Sequence, residues 1–153
     1  MPRLLLIEDD EDDRELIARL LAGEWELQPA RSLDDATWLL AHHPADVVLL
    51  DLGLPDATGT AGVERLVHGH PDLPVVVLTG LDHDETGLRA IQAGAQDYLV
   101  KGQADRRLLD RSLRYAIERK RAERALARLA AIMTGMCDEC GRKLGPDPRS
   151  PGN

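Results

Sequence analysis

Four short apolar runs in this chain each deliver a polar residue of a kind that does chemistry. Leu4-Leu5-Leu6-Ile7 leads into Glu8-Asp9-Asp10-Glu11-Asp12-Asp13, and Val47-Val48-Leu49-Leu50 carries Asp51 before turning on Gly53 and Pro55. Val75-Val76-Val77-Leu78 ends in Thr79, and Tyr98-Leu99-Val100 ends in Lys101. Carboxylates gathered at one place repel each other, and a hard divalent cation with oxygen ligands relieves that repulsion. Mg²⁺ keeps several waters and readily takes phosphate oxygens. A lysine, a hydroxyl and a metal around one carboxylate allow a phosphoryl group to pass to it. Asp51 is then the nucleophile, with the cation and Lys101 balancing the transferred charge. Each residue alone has a plainer explanation: an acid caps a helix, a threonine serves a turn, a lysine sits in water. Their joint placement is what calls for chemistry.

That chemistry requires the four runs to lie side by side and point the same way. Continuous apolar runs suit strands covered on both faces, as in a parallel sheet. In open α/β sheets the reactive edge lies beyond the carboxyl ends of the strands. The spacing predicts strands over 3–7, 25–30 (the weakest), 46–51, 75–78 and 97–100. Helices are expected between them. The first carries Leu16, Ile17, Leu20 and Leu21 and stops near Gly23, with acids in its first turn suiting the helix dipole. Ser32 caps a second helix over about 33–42, with Asp35 completing a rough capping box, and Pro44 ends it. Residues 55–59 form a loop before a third helix over 60–68. A fourth covers 84–93, with Gly94 as its stop. Strands alternating with helices five times imply a doubly wound parallel sheet.

Composition agrees with one globular domain in 153 residues, 43% of them hydrophobic and 30% charged. Phe is absent, so Leu, Val, Ile and Ala must build the core. The net charge of −8 is unevenly spread: residues 1–100 hold 6 basic and 20 acidic side chains, and residues 101–133 hold 10 and 4. An acidic body with a basic carboxyl-terminal element follows. The apolar start is too short for a signal peptide or membrane span, so a cytoplasmic protein is expected.

The chain resembles a response-regulator receiver domain of two-component signalling. The matching pieces are Leu6-Ile7-Glu8-Asp9-Asp10, Leu50-Asp51-Leu52-Gly53-Leu54-Pro55 with Gly59, Leu78-Thr79-Gly80, and Gly94-Ala95-Gln96-Asp97-Tyr98-Leu99-Val100-Lys101. The resemblance covers about residues 1–120. It implies a flavodoxin-like fold of five parallel strands and a stand-alone regulator that accepts phosphate from a sensor histidine kinase. Such a chain signals by protein contact or phosphorelay and is no multi-turnover enzyme. Asp51 becomes the phosphoacceptor. Asp9 becomes a direct Mg²⁺ ligand, Glu8 one acting through water, and the Gly53 carbonyl a third; Asp10 is the weaker candidate. Thr79 would bond the phosphoryl oxygen and Lys101 would pair with it. Tyr98 matches the aromatic switch residue, against the plainer reading of a half-buried strand aromatic. The sequence departs from the family at Gly102, where most members carry Pro after a cis peptide. A cis bond without Pro costs about 3 kcal/mol, so a trans Lys101–Gly102 peptide and a looser corner are expected. Gly53 and Leu81 offer no polar side chain to orient water, which predicts slow autodephosphorylation.

From 104 to 134 a helical pattern runs without Gly or Pro, about 45 Å at 1.5 Å per residue. Leu108, Leu109, Leu113, Ala116 and Ile117 form a stripe for the sheet. Over 119–136, Ala122, Leu126, Leu129, Met133 and Met136 form a narrower seam. The expectation is a homodimer, parallel along that seam and continued through the fourth helix and fifth strand. Nucleic acid is not expected, since the basic helix lacks interleaved aromatics and the chain is acidic. Residues 137–144 resemble a zinc knuckle, where Cys137 and Cys140 supply two thiolates and a parallel dimer would supply four. A redox pair and an inert remnant are the rivals. Residues 145–153, rich in Pro and Gly, read as a disordered tail. The rival function is a phosphorylation-independent scaffold that dimerises or senses zinc or redox state.

Overall fold

The strands at 3–7, 47–51 and 75–79 are short and almost wholly apolar, so both faces of each must be covered, and the covering helices fall between them in sequence. The computed structural model describes residues 1–80 and 84–133. The chain divides into two units, Met1–Glu118 and Arg119–Asn153.

In the first unit, β1 (Arg3–Ile7), β2 (Glu26–Ala30), β3 (Val47–Asp51), β6 (Val75–Thr79) and β7 (Asp97–Val100) form one five-stranded sheet. All its pairings are parallel, in the order β2-β1-β3-β6-β7. The helices are α1 (Glu11–Leu20), α2 (Leu33–His42), α3 (Ala61–Gly69), α4 (Asp84–Gln92) and α5 (Arg106–Met133). Strand periodicity divides the core in two. Leu5, Ile7, Val48, Leu50, Val75 and Val77 face Leu33, Ala36, Val63, Leu66 and Ala90 from α2, α3 and α4. Leu4, Leu6, Val47, Leu49, Val76 and Leu78 face Ile17 and Leu21 of α1 and its end, and Leu109, Leu113 and Ala116 of α5. Each buried Leu or Val contributes about 1.5–3 kcal/mol by leaving water. The expected doubly wound sheet is the observed one.

Three details differ from expectation, the first being Leu108, assigned to the α5 stripe for the sheet but 36% exposed because it lies off the face that Leu109, Leu113 and Ala116 bury. Leu16, assigned to the apolar set of α1, is 52% exposed. Residues 55–59 are not a plain loop: β4 (Gly53–Leu54) and β5 (Ala57–Thr58) pair antiparallel around Pro55-Asp56. That hairpin puts Asp56 against the start of α2, where its carboxylate accepts from the backbone N–H of Leu33 at 3.1 Å. Ser32 Oγ accepts from the Asp35 N–H, while the Asp35 carboxylate reaches back to the Arg31 N–H.

Trp25 ties the turn after α1 to α5. Its buried indole N–H donates to Asp110 Oδ1 at 2.8 Å, and the Arg114 guanidinium stands 5.1 Å from the ring centre. The described part of the second unit, Arg119 to Met133, is helical, and Leu126, Leu129, Ile132 and Met133 are exposed on it. Leu81, Met136, Cys137, Cys140 and the tail lie outside the described residues. Among the described residues no helix is long and apolar enough to cross a membrane.

Candidate functional site

Register brings the chemistry-bearing residues to one edge. Ile7 pairs with Leu50, so Glu8 and Asp51 leave their strands at the same level. Asp51 in turn pairs with Leu78, and Thr79 with Val100, which places Thr79 and Lys101 one step further along. The Lys101 N–H donates to the Thr79 carbonyl at 2.8 Å.

The side chains converge. Glu8, Asp9 and Asp51 each offer a carboxylate oxygen within 4.8 Å of the others. Lys101 Nζ lies 2.8 Å from Glu8 Oε1, 3.1 Å from Asp13 Oδ2 and 3.3 Å from Asp51 Oδ2. Glu8 is fully buried, and the ion pair with Lys101 is the contact its Oε1 makes there. Asp51 is 6% exposed, and its Oδ1 accepts from the Gly53 N–H at 2.9 Å. Asp10 is used otherwise: its carboxylate caps α1 by accepting from the Asp13 N–H at 3.1 Å. The division of labour between Asp9 and Asp10 follows, with Asp9 in the cluster and Asp10 on the helix.

Burial and the neighbouring Asp51 carboxylate push Glu8 up to about 8, while the Lys101 charge pulls it back in part. Burial disfavours the Lys101 ammonium, but Glu8, Asp13 and Asp51 more than restore it, raising it above the ordinary lysine value. Three crowded carboxylates, those of Glu8 and Asp51 buried, are a donor set that a hard divalent cation satisfies. The residues therefore fit Mg²⁺, with Glu8, Asp9 and Asp51 to hold it.

Thr79 is 2% exposed, and its Oγ1 has no hydrogen-bond partner. A buried hydroxyl of that kind costs about 1–3 kcal/mol unless something supplies the bond. Tyr98 is half-buried and packs against the core shared with α2, α3 and α4. Gly102 has φ 84°, a left-handed conformation closed to Pro, whose ring holds φ near −65°. No peptide bond among the described residues is cis. The corner after β7 is thus a glycine turn, and it still delivers Lys101 onto Asp51.

Two site residues were not singled out in the sequence. Asp13 joins Lys101, and Arg14 Nη1 donates to the carbonyls of Glu8 and Asp9 at 2.9 and 3.1 Å. Both lie in the first turn of α1, which returns the chain over the end of β1, but the run of six acids at 8–13 does not mark which of them turns inward.

The model of the response regulator receiver domain matches residues 4–112. The chain belongs to the response-regulator receiver family. Among curated relatives, the response regulator protein PilR of Pseudomonas aeruginosa is 36% identical over 101 residues, covering 65% of this chain and 22% of PilR. A protein-glutamate methylesterase/protein-glutamine glutaminase of Anaeromyxobacter dehalogenans is 38% identical over 105 residues, covering 67% of this chain and 30% of that one. The receiver therefore spans under a third of either relative. Among solved structures, the receiver domain of NtrX from Brucella abortus superposes with a TM-score of 0.66 at 31% identity, covering 72% of this chain and 98% of that domain.

Proposed function

We propose that this receiver is a cytoplasmic phosphoacceptor, taking a phosphoryl group on Asp51 from a sensor histidine kinase in a Mg²⁺-dependent reaction. The observation that carries the reading is the convergence of Lys101 Nζ on Asp51 Oδ2 at 3.3 Å, beside the Glu8–Asp9–Asp51 cluster. Bound there, Mg²⁺ would supply charge neutralisation for the transferred phosphoryl oxygens. The chain's own residues do the rest. Asp51 Oδ2 forms the new O–P bond as the donor's bond to phosphorus breaks. The Gly53 N–H holds the other Asp51 oxygen, which fixes the direction of attack. Lys101 pairs with the arriving charge, and the Thr79 hydroxyl acquires an acceptor. Tyr98, packed on the same side as α4, carries the change to the surface of α4, β7 and α5.

The output is a protein contact or a relay to another histidine. A homodimer through α4, β7 and the helix beyond residue 119 accounts for the exposed Leu126, Leu129 and Met133. The decisive experiment incubates the chain with acetyl phosphate. Mass should increase by one phosphoryl group only when Mg²⁺ is present, and Asp51→Asn should abolish it. Modification that survives Asp51→Asn would refute the assignment. For the dimer, mass in solution with and without beryllofluoride is the test, and a monomer in both states rejects it.

A further inference from the structure

Lys101 is held by more acids than phosphoryl transfer uses. Its ammonium has three N–H donors, and three carboxylates stand around it, those of Glu8, Asp13 and Asp51. Asp51 is the most distant of the three. Asp13 comes from the first turn of α1 and lies outside the Glu8–Asp9–Asp51 cluster. It offers nothing to a cation there, yet its Oδ2 accepts the hydrogen bond that Lys101 Nζ donates at 3.1 Å.

We propose that Asp13 is a positioning residue that competes with the phosphoryl group for Lys101, so that phosphorylation must displace it. This rests on the reading of Asp51 as phosphoacceptor. In transfer from acetyl phosphate, an Asp51 O–P bond forms, the donor's P–O bond breaks and acetate leaves. The phosphoryl group brings a charge of about −1.5 to −2 at neutral pH. The phosphoryl oxygens lie beyond the Asp51 carboxylate, so the ammonium is drawn toward them and away from one of the other two acids. Glu8 is enclosed on all sides and cannot move into water. The Asp13 side chain is 39% exposed and can swing outward, while its backbone stays fixed by the Asp10 cap. Asp13 is therefore the partner released, and its hold on Lys101 slows the reaction it must give way to.

The test measures the rate of Asp51 phosphorylation by acetyl phosphate in saturating Mg²⁺, followed by intact mass. An ion pair this exposed has a strength corresponding to about fivefold in rate. Asp13→Asn and Asp13→Ala should each react about fivefold faster than the parent chain, and Asp13→Glu, which keeps the charge, should return toward the parent rate. Asp12→Asn removes one charge from the same turn without touching Lys101 and should stay within about twofold. The proposal is overturned if both Asp13 variants react at or below the parent rate. It is equally overturned if Asp12→Asn is as fast as Asp13→Asn, which would make the effect one of net charge. A parent chain that takes no phosphoryl group at all is a different result, refuting the role of Asp51 itself.

Discussion

The Tyr98 ring lies flat against Gly87 in the middle of α4: a Cβ added at Gly87 would come within 2.5 Å of ring atom Cδ2. Gly inside a helix costs about 1 kcal/mol relative to Ala, so on propensity alone Gly87→Ala would stabilise the chain. The contact reverses that sign. Gly87→Ala should lower stability by about 1–3 kcal/mol, because the ring must leave its seat or α4 must lift. Urea denaturation measures it, and a variant more stable than the parent would show that Tyr98 does not depend on the missing side chain.

Glu8 sets a pH dependence for both folding and metal binding. Its folded value near 8, against an ordinary 4.5, means the folded state keeps a proton that the unfolded state gives up. That contribution to stability is complete below about pH 4.5 and is lost as pH rises through about 8. Without Mg²⁺, thermal stability should therefore fall from pH 5 to 9 more steeply in the parent than in Glu8→Gln. Because Mg²⁺ needs the ionised carboxylate, its affinity should rise by up to about tenfold per pH unit as pH approaches 8. Calorimetric titration at pH 6.5 and 8.5 checks this, and equal affinities would contradict it.

Hydrolysis of the phosphorylated form should be slow, since Gly53 presents no group to orient water. A Cβ at Gly53 would lie 3.5 Å from Asp51 Oδ1, an ordinary contact, so a side chain fits beside the carboxylate. Gly53→Asn should accelerate loss of the phosphoryl group by about tenfold or more, as a positioned polar group does for an attacking water. The decay after removal of acetyl phosphate reports it. A parent half-life of seconds would invalidate the premise.

Leu113 and Leu129 separate folding from the proposed assembly. Leu113 is fully buried between α5 and the sheet, and Leu113→Ala should cost about 2–5 kcal/mol. Leu129 is 56% exposed, so Leu129→Ala should leave monomer stability within about 0.5 kcal/mol and weaken the proposed dimer. Denaturation combined with sedimentation distinguishes the two effects, and a dimer unaffected by Leu129→Ala would remove the helix beyond 119 from the interface.

Much of this was legible before any coordinates. The bounds of α2 follow from Ser32 and Pro44, and strands as uniformly apolar as Val75–Leu78 have few alternatives to a covered parallel sheet. Glu8, Asp9, Asp51, Thr79 and Lys101 could be placed at one edge because parallel strands share a direction. The hairpin of β4 and β5 was not legible, since two-residue strands are shorter than any hydrophobic period. Asp13 was missed for another reason. Among six consecutive acids, nothing local separates the one that turns inward from those that face water, and only the position of Lys101, 88 residues away, decides it. Leu16 was misplaced because a helix's apolar set can be wider than the face the sheet covers.

The seat of Trp25 gives this molecule an optical gauge of its own. The chain has two tryptophans, and Trp38 is largely exposed on α2. Replacing Trp38 with Phe would leave a single enclosed indole, bonded to Asp110 and stacked under Arg114, whose emission answers to the placement of α5 against α1 and the sheet. Movement of that helix could then be followed in real time by light, with no dye attached.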